Sequence, residues 1–108
     1  MQQDGVGWTE AEKVVARVAF EKAYERETQA LVEEVRTKAG KIADLDEVWQ
    51  LHDYLSARRH DIDGKYDYRY SSLVFVFAQL LREKWLQLED LKGLEENRLA
   101  KISALSRM

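Results

Sequence analysis

Tyr66-Asp67-Tyr68-Arg69-Tyr70-Ser71-Ser72-Leu73-Val74-Phe75-Val76-Phe77-Ala78-Gln79-Leu80-Leu81 is the stretch on which the fold class turns. Its tyrosines alternate as in a strand, and Leu73 to Phe77 is rich in residues of high β propensity. The continuation argues the other way. Ala78-Gln79-Leu80-Leu81-Arg82-Glu83-Lys84 is built of strong helix formers, and a lone strand would leave its edges unpaired in a chain that offers no second strand candidate. The segment from Tyr66 to Leu81 therefore reads as a central helix, apolar nearly all round, and the protein as all-α.

Working outward, the punctuation is sparse: among 108 residues there is no proline and there are five glycines, so breaks in regular structure are few and can be located. Thr9 with Glu12 is a capping-box pattern that starts a helix at Glu10, and Gly40 after Lys38 is a stop. Such a helix of roughly 29 residues is about 43 Å long, whereas a compact domain of this size has a radius of gyration of about 13 Å. The helix must overhang its own core. At 100° per residue it shows two apolar faces, Ala11, Val14, Val15, Val18 and Val32 on one side and Phe20, Tyr24, Leu31 and Val35 on the other. A chain this short has little left to cover both, and a second copy would cover one, so a homodimer is expected.

Asp44 with Glu47 starts a second helix, with Val48, Leu51, Leu55 and Ile62 on one face and an end near Asp63 and Gly64. Beyond a break between Lys84 and Leu88, the stripe Leu88, Leu91, Leu94, Leu99, Ile102 and Leu105 forms the last helix, weakened early by Gly93. The expected layout is one helical domain over 1–108. Residues 1–8 form a flexible N-terminus, 9–62 the long helix and second helix with the dimer seam, and 65–105 a compact helical head, about four helices in an elongated dimer.

Composition narrows the function. The chain is 45% hydrophobic and 34% charged with a formal net charge of −3, which suits a folded domain and not a disordered one. The absence of cysteine removes thiol catalysis and thiolate metal sites and agrees with a reducing, cytoplasmic compartment. Leu73 to Ala78, the longest apolar run, falls far short of the ~20 residues of a membrane span, and Met1 to Trp8 has no signal-peptide pattern. Lysines and arginines are interspersed with acids, so no nucleic acid is expected. A protein partner is.

The polar chemistry is concentrated between Trp49 and Asp67, where both histidines lie. On a helical wheel Trp49, His52, Asp53, Ser56, Arg59 and His60 share a strip beside the apolar stripe. Trp and Arg are the residue types most enriched at binding hot spots. The plainer alternative is that Trp49 caps the core while Asp53 and Arg59 sit in a solvated ion-pair network. The pairs His52-Asp53 and His60-Asp61 suggest metal phosphohydrolase ligands, but the histidines are two turns apart and Arg58 and Arg59 would repel a cation. Asp61, Asp63 and Asp67 with Gly64 lack the glycine position and terminal glutamate of a calcium loop. Ser56 lies mid-helix, and there is no Gly-rich oxyanion or phosphate loop, so covalent catalysis is unexpected, as is a metal.

The string Trp49-x-Leu51-His52-Asp53-x-Leu55-Ser56-Ala57-x-Arg59-His60-x-Ile62-Asp63-Gly64-Lys65-Tyr66-Asp67-x-Arg69, with Phe75-Val76-Phe77-Ala78-Gln79-Leu80-Leu81 after it and Phe20-x-Lys22-Ala23-Tyr24-x-Arg26-Glu27 before it, resembles the fluorescence recovery protein family of cyanobacteria. The resemblance runs from about Trp8 to Ile102. It implies an all-helical, cofactor-free homodimer, not an enzyme, that acts in photoprotection and non-photochemical quenching. By the resemblance, the partner is the C-terminal domain of the orange carotenoid protein. The family is understood to help detach the photoactivated red form from the phycobilisome and to speed its return to orange, which restores antenna fluorescence. The implied location is cytoplasmic, or peripheral at the thylakoid membrane surface. Trp49, His52, Asp53 and Arg59 match the family's functional patch, as contacts either to the partner or to the second subunit. Phe75 and Lys101 match partner contacts in the head and Val32 matches the dimer seam, to which Leu31, Val35 and Trp49 are also assigned. The alternative is a divergent member serving as a helical protein-binding adaptor or chaperone without a carotenoid-protein partner.

Overall fold

Thr9 holds the start of the first helix as its spacing predicts: its hydroxyl accepts from the Glu12 N–H at 3.0 Å, and Glu12 accepts from the Thr9 N–H at 3.1 Å. Both groups are orphan donors of a helix N-terminus, and the box satisfies them reciprocally. The computed structural model describes residues 7–108. The helices are α1 (Glu10–Gly40), α2 (Leu45–Lys65), α3 (Tyr70–Arg82) and α4 (Glu96–Ser106), with a 3-10 turn at Leu88–Leu91 between the last two. Among the described residues there is no strand, so the all-α expectation holds. The flexible stretch expected over 1–8 lies, for its first six residues, outside the described residues. Its last, Trp8, is buried in the core against Tyr70, ring centroids 5.5 Å apart.

The core sits where α3 and α4 pack together on the first half of α1. Leu73, Phe77 and Leu80 of α3 are fully enclosed with Leu86, Leu91 and Ile102, and each such side chain contributes about 1.5–3 kcal/mol by leaving water. The face that α1 turns to this core is neither of the two valine and aromatic faces read from the wheel. It is Ala16, Ala19 and Ala23, flanked by buried Glu12 and Glu27. Alanine adds little to a hydrophobic pattern, yet its small size lets another element approach the helix closely. Val14, Val18 and Val32 are left exposed, whereas Val15 and Phe20 flank the core.

Two boundaries also differ from expectation. The third helix starts at Tyr70 and not at Tyr66, because residues 66–69 run outside any helix and deliver Tyr66 and Tyr68 onto Phe20 at 5.4 and 4.9 Å between ring centroids. The alternating tyrosines thus fall in part on a short non-helical linker, which turns at Tyr66, where the Asp67 N–H donates to the Lys65 carbonyl at 2.9 Å. The last apolar stripe is divided: Leu88 and Leu91 belong to the 3-10 turn, Leu88 is half exposed, and α4 starts only at Glu96. Gly93 makes the division. Its φ is +114°, and a Cβ there would sit 2.7 Å from Val15 Cγ2, a combination that only glycine tolerates.

α2 turns back along the second half of α1 as an antiparallel hairpin. Tyr54 donates to Glu34 at 2.6 Å and Arg58 to Glu27 at 3.1 Å. The hairpin extends past the head, so the radius of gyration is 16.9 Å and the longest dimension 53 Å, well above the ~13 Å of a compact domain this size. The overhang foreseen from helix length is present.

Candidate functional site

The register of α2 is set by what its inner face grips. Leu51, Tyr54, Leu55, Arg58, Ile62 and Lys65 are partly or fully covered and recur at the three- and four-residue steps of one helix face. Trp49, His52, Asp53, Ser56, Arg59 and His60 must then point outward, and all six are exposed. The wheel reading of a shared strip is correct. Trp49 is 55% exposed and stacks edge-on with His52, ring centroids 6.3 Å apart at 86°. His52 Nδ1 lies 3.3 Å from Asp53 Oδ1. Arg59 pairs not with Asp53 but with Asp63, one turn on, at 3.8 Å. An exposed indole beside an imidazole, a carboxylate and a guanidinium is a surface suited to docking, with area from the ring and direction from the charges.

The other sequence-predicted residues are distributed over the molecule. Phe75 is 60% exposed although its neighbours Val74, Val76 and Phe77 are core. Lys101 is exposed on α4 and lines a shallow recess with Val74, Asn97 and Arg98. On α1, Val32 is 51% exposed and Leu31 and Val35 are partly covered. Phe75 and Lys101 lie in the head, Trp49 to Arg59 on the hairpin.

Two features escaped the sequence reading, and both centre on a glutamate buried in α1. Glu27 Oε2 accepts from Lys65 Nζ at 2.8 Å and from Arg58, and its Oε1 accepts from the Tyr66 hydroxyl at 2.7 Å. Lys65 donates in turn to Glu83 at 2.7 Å. This network joins α1, the last two turns of α2, the first residue after it and the end of α3. Burial pushes the Glu27 carboxyl up, but hydrogen bonds from Lys65, Tyr66 and Arg58 outweigh it and hold the group below its ordinary range. Burial likewise opposes the charge on Lys65, yet Glu27 and Glu83 keep it protonated above its usual range. Glu12 accepts from Arg98 Nε at 2.9 Å and from the Glu95 N–H at 3.0 Å. Its desolvation is overcome by those donors, so its pKa also falls. The Arg98 guanidinium covers the Trp8 ring at 4.0 Å. The available signal was Glu12, Ala16, Ala19, Ala23 and Glu27 repeating at helical spacing. Among the described residues no three His, Asp or Glu side chains converge to hold a metal ion.

Residues 8–106 match the family model described as photoprotection regulator fluorescence recovery protein. The fluorescence recovery protein of Synechocystis sp. PCC 6803 is 48% identical over 101 residues, covering 94% of this chain and 93% of that protein. The chain belongs to the fluorescence recovery protein family. The solved structure of the Fremyella diplosiphon fluorescence recovery protein superposes with a TM-score of 0.92 at 56% identity, over 94% of this chain and all of that one. That of the Synechocystis protein gives 0.90 at 48% identity, over 94% and 99%. The resemblance carried by Trp49 to Leu81 is therefore correct, and the fold and regulatory class of this chain are those of the fluorescence recovery proteins.

Proposed function

We propose that this member of the family binds the photoactivated orange carotenoid protein through that protein's C-terminal domain, promotes its detachment from the phycobilisome and accelerates its red-to-orange reversion, so that antenna fluorescence recovers. The observation that carries the reading is the outward strip of Trp49, His52, Asp53 and Arg59, apolar and charged at once and unused by the fold. Phe75 and Lys101 supply further contact in the head. The work is conformational: a binder that prefers an on-path geometry over the separated state lowers the barrier without bond chemistry, and equal affinity for both end states would shift nothing. The working unit is a homodimer whose seam includes Leu31, Val32, Val35 and Trp49. It works in the cytoplasm or peripherally at the thylakoid surface, without cofactor or metal.

The test is the dark decay of a photoactivated orange carotenoid protein, followed by absorbance, with and without this protein. Acceleration by the wild type and its loss in Trp49→Ala are expected; an unaccelerated decay with a cognate partner would refute the function. Charged contact through Asp53 and Arg59 further requires the acceleration to weaken once salt brings the Debye length to about 8 Å.

A further inference from the structure

Between the segment that follows α3 and the last turns of α4 lies an open cleft of about 510 Å³. Lys84, Leu86 and Leu88 line it from one segment, Ser103, Ser106 and Arg107 from the other, and no carboxylate lines it. Leu88 is 50% exposed although the neighbouring Leu86 is buried. Neither Lys84 nor Arg107 forms an ion pair among the described residues, in a chain whose formal net charge is −3. The guanidinium is nevertheless placed: Arg107 Nη1 donates to Ser103 Oγ at 2.8 Å. Nearby Arg82 is committed to the Leu105 carbonyl at 2.9 Å and to no acid.

Lys84 adds an independent observation. Its φ is +70°, and the Lys84 N–H donates to the Leu81 carbonyl and the Trp85 N–H to the Leu80 carbonyl. That is the paired bonding of a helix end whose left-handed residue is usually glycine. A lysine there carries a steric cost that glycine would not, and it sets an ammonium with no ion-pair partner at the rim of the cleft.

We infer that this cleft docks an acidic segment of a partner protein, anchored by a leucine-like side chain on the half-exposed Leu88 and held by its carboxylates on Lys84 and Arg107. Charge complementarity selects that occupant: two cations without an ion-pair partner, on a cleft that no acidic side chain lines, favour carboxylate, and exposed Leu88 favours an apolar anchor over a simple ion. The surface is separate from the strip on α2. It also differs from that of Lys101, since Ser103, Ser106 and Arg107 lie about 140° to 240° round α4 from it at 100° per residue. The inference does not rest on the function proposed above.

The full chain, labelled with ¹⁵N, is titrated with an acetylated decapeptide of glutamates with leucines at positions 3, 6 and 7, and with versions in which glutamine or lysine replaces every glutamate. Amide shifts confined to residues 82–88 and 102–108 are expected for the glutamate peptide alone, weakening as salt rises from ~0.05 M to ~0.3 M. Lys84→Gly relieves the backbone and so keeps the fold, yet it should lower affinity about fivefold, as should Arg107→Gln; Leu88→Ser should lower it as well. Equal binding of the glutamine or lysine peptide, unchanged affinity in Lys84→Gly, or no shift up to ~1 mM peptide would overturn the proposal. So would binding of anionic lipid vesicles, or self-association abolished by Lys84→Gly, with the peptide inert.

Discussion

Glu27 is a charge placed where water cannot reach it, and its neighbours explain why it stays charged. Lysine, arginine and tyrosine donors converge on its two oxygens. Removing one partner of a buried pair leaves the other uncompensated, so Glu27→Ala should cost about 3 kcal/mol in urea unfolding, whereas Glu27→Leu combined with Lys65→Met should recover much of it. The acid side follows from the same carboxylates. Glu12 and Glu27 are both held below their ordinary value of 4.5, so the unfolded chain takes up protons at higher pH than the native one. Their contribution is present above pH 4.5 and is lost as pH falls through the depressed values. Melting temperature should drop steeply below pH 4.5, and a Glu12→Gln/Glu27→Gln variant should show a flatter decline. On the alkaline side Lys65 and Tyr66 both titrate above their ordinary values, so their contribution persists up to about pH 10 and fades beyond it. Gly93→Ala meets a forbidden φ and the Val15 side chain together; a loss of about 2 kcal/mol is expected, which Val15→Ala restores only in part because the backbone strain remains.

At the scale of the element, helix ends account for most of what local sequence can direct. Thr9 and Asp44 cap α1 and α2 with side-chain oxygens on the N–H groups of Glu12 and Glu47. Asp44→Ala, at an exposed end with no other partner to lose, should cost about 1 kcal/mol by thermal or urea unfolding. The end of α3 runs the opposite way. Lys84→Gly should raise stability by about 0.5–1 kcal/mol, the relief of a left-handed side chain less the greater freedom of glycine in the unfolded chain, and a lowered urea midpoint would contradict that reading. The strip on α2 was legible before any tertiary information, because its apolar stripe and its polar residues are separated by helical geometry alone. Its pairing was not: which carboxylate Arg59 meets depends on side-chain reach along the helix, and Asp63 is the one in range.

At the scale of the whole molecule, a long hairpin carries a head at one end, and the hairpin leaves Val32, Leu45, Val48 and Trp49 exposed. Apolar side chains gathered on one arm are the surface a second copy would cover. Val32→Glu, by placing a charge there, should convert the proposed dimer to monomer; an unchanged mass in light scattering would count against that seam. What the sequence by itself determined is the set of helices, the caps at Thr9 and Asp44, the breaks at Gly40 and near Lys84, the overhang of α1 and the outward strip from Trp49 to Arg59. These depend on interactions within one or two turns of chain, which composition and spacing report directly. Only the tertiary structure decided that α1 meets the core through Ala16, Ala19 and Ala23, that Glu12 and Glu27 are buried against Arg98 and Lys65, and that residues 66–69 lie outside any helix. A buried glutamate and a surface glutamate are written with the same letter. What separates them is a donor brought from tens of residues away, Lys65 to Glu27 or Arg98 to Glu12, and no periodicity within α1 encodes where those donors arrive.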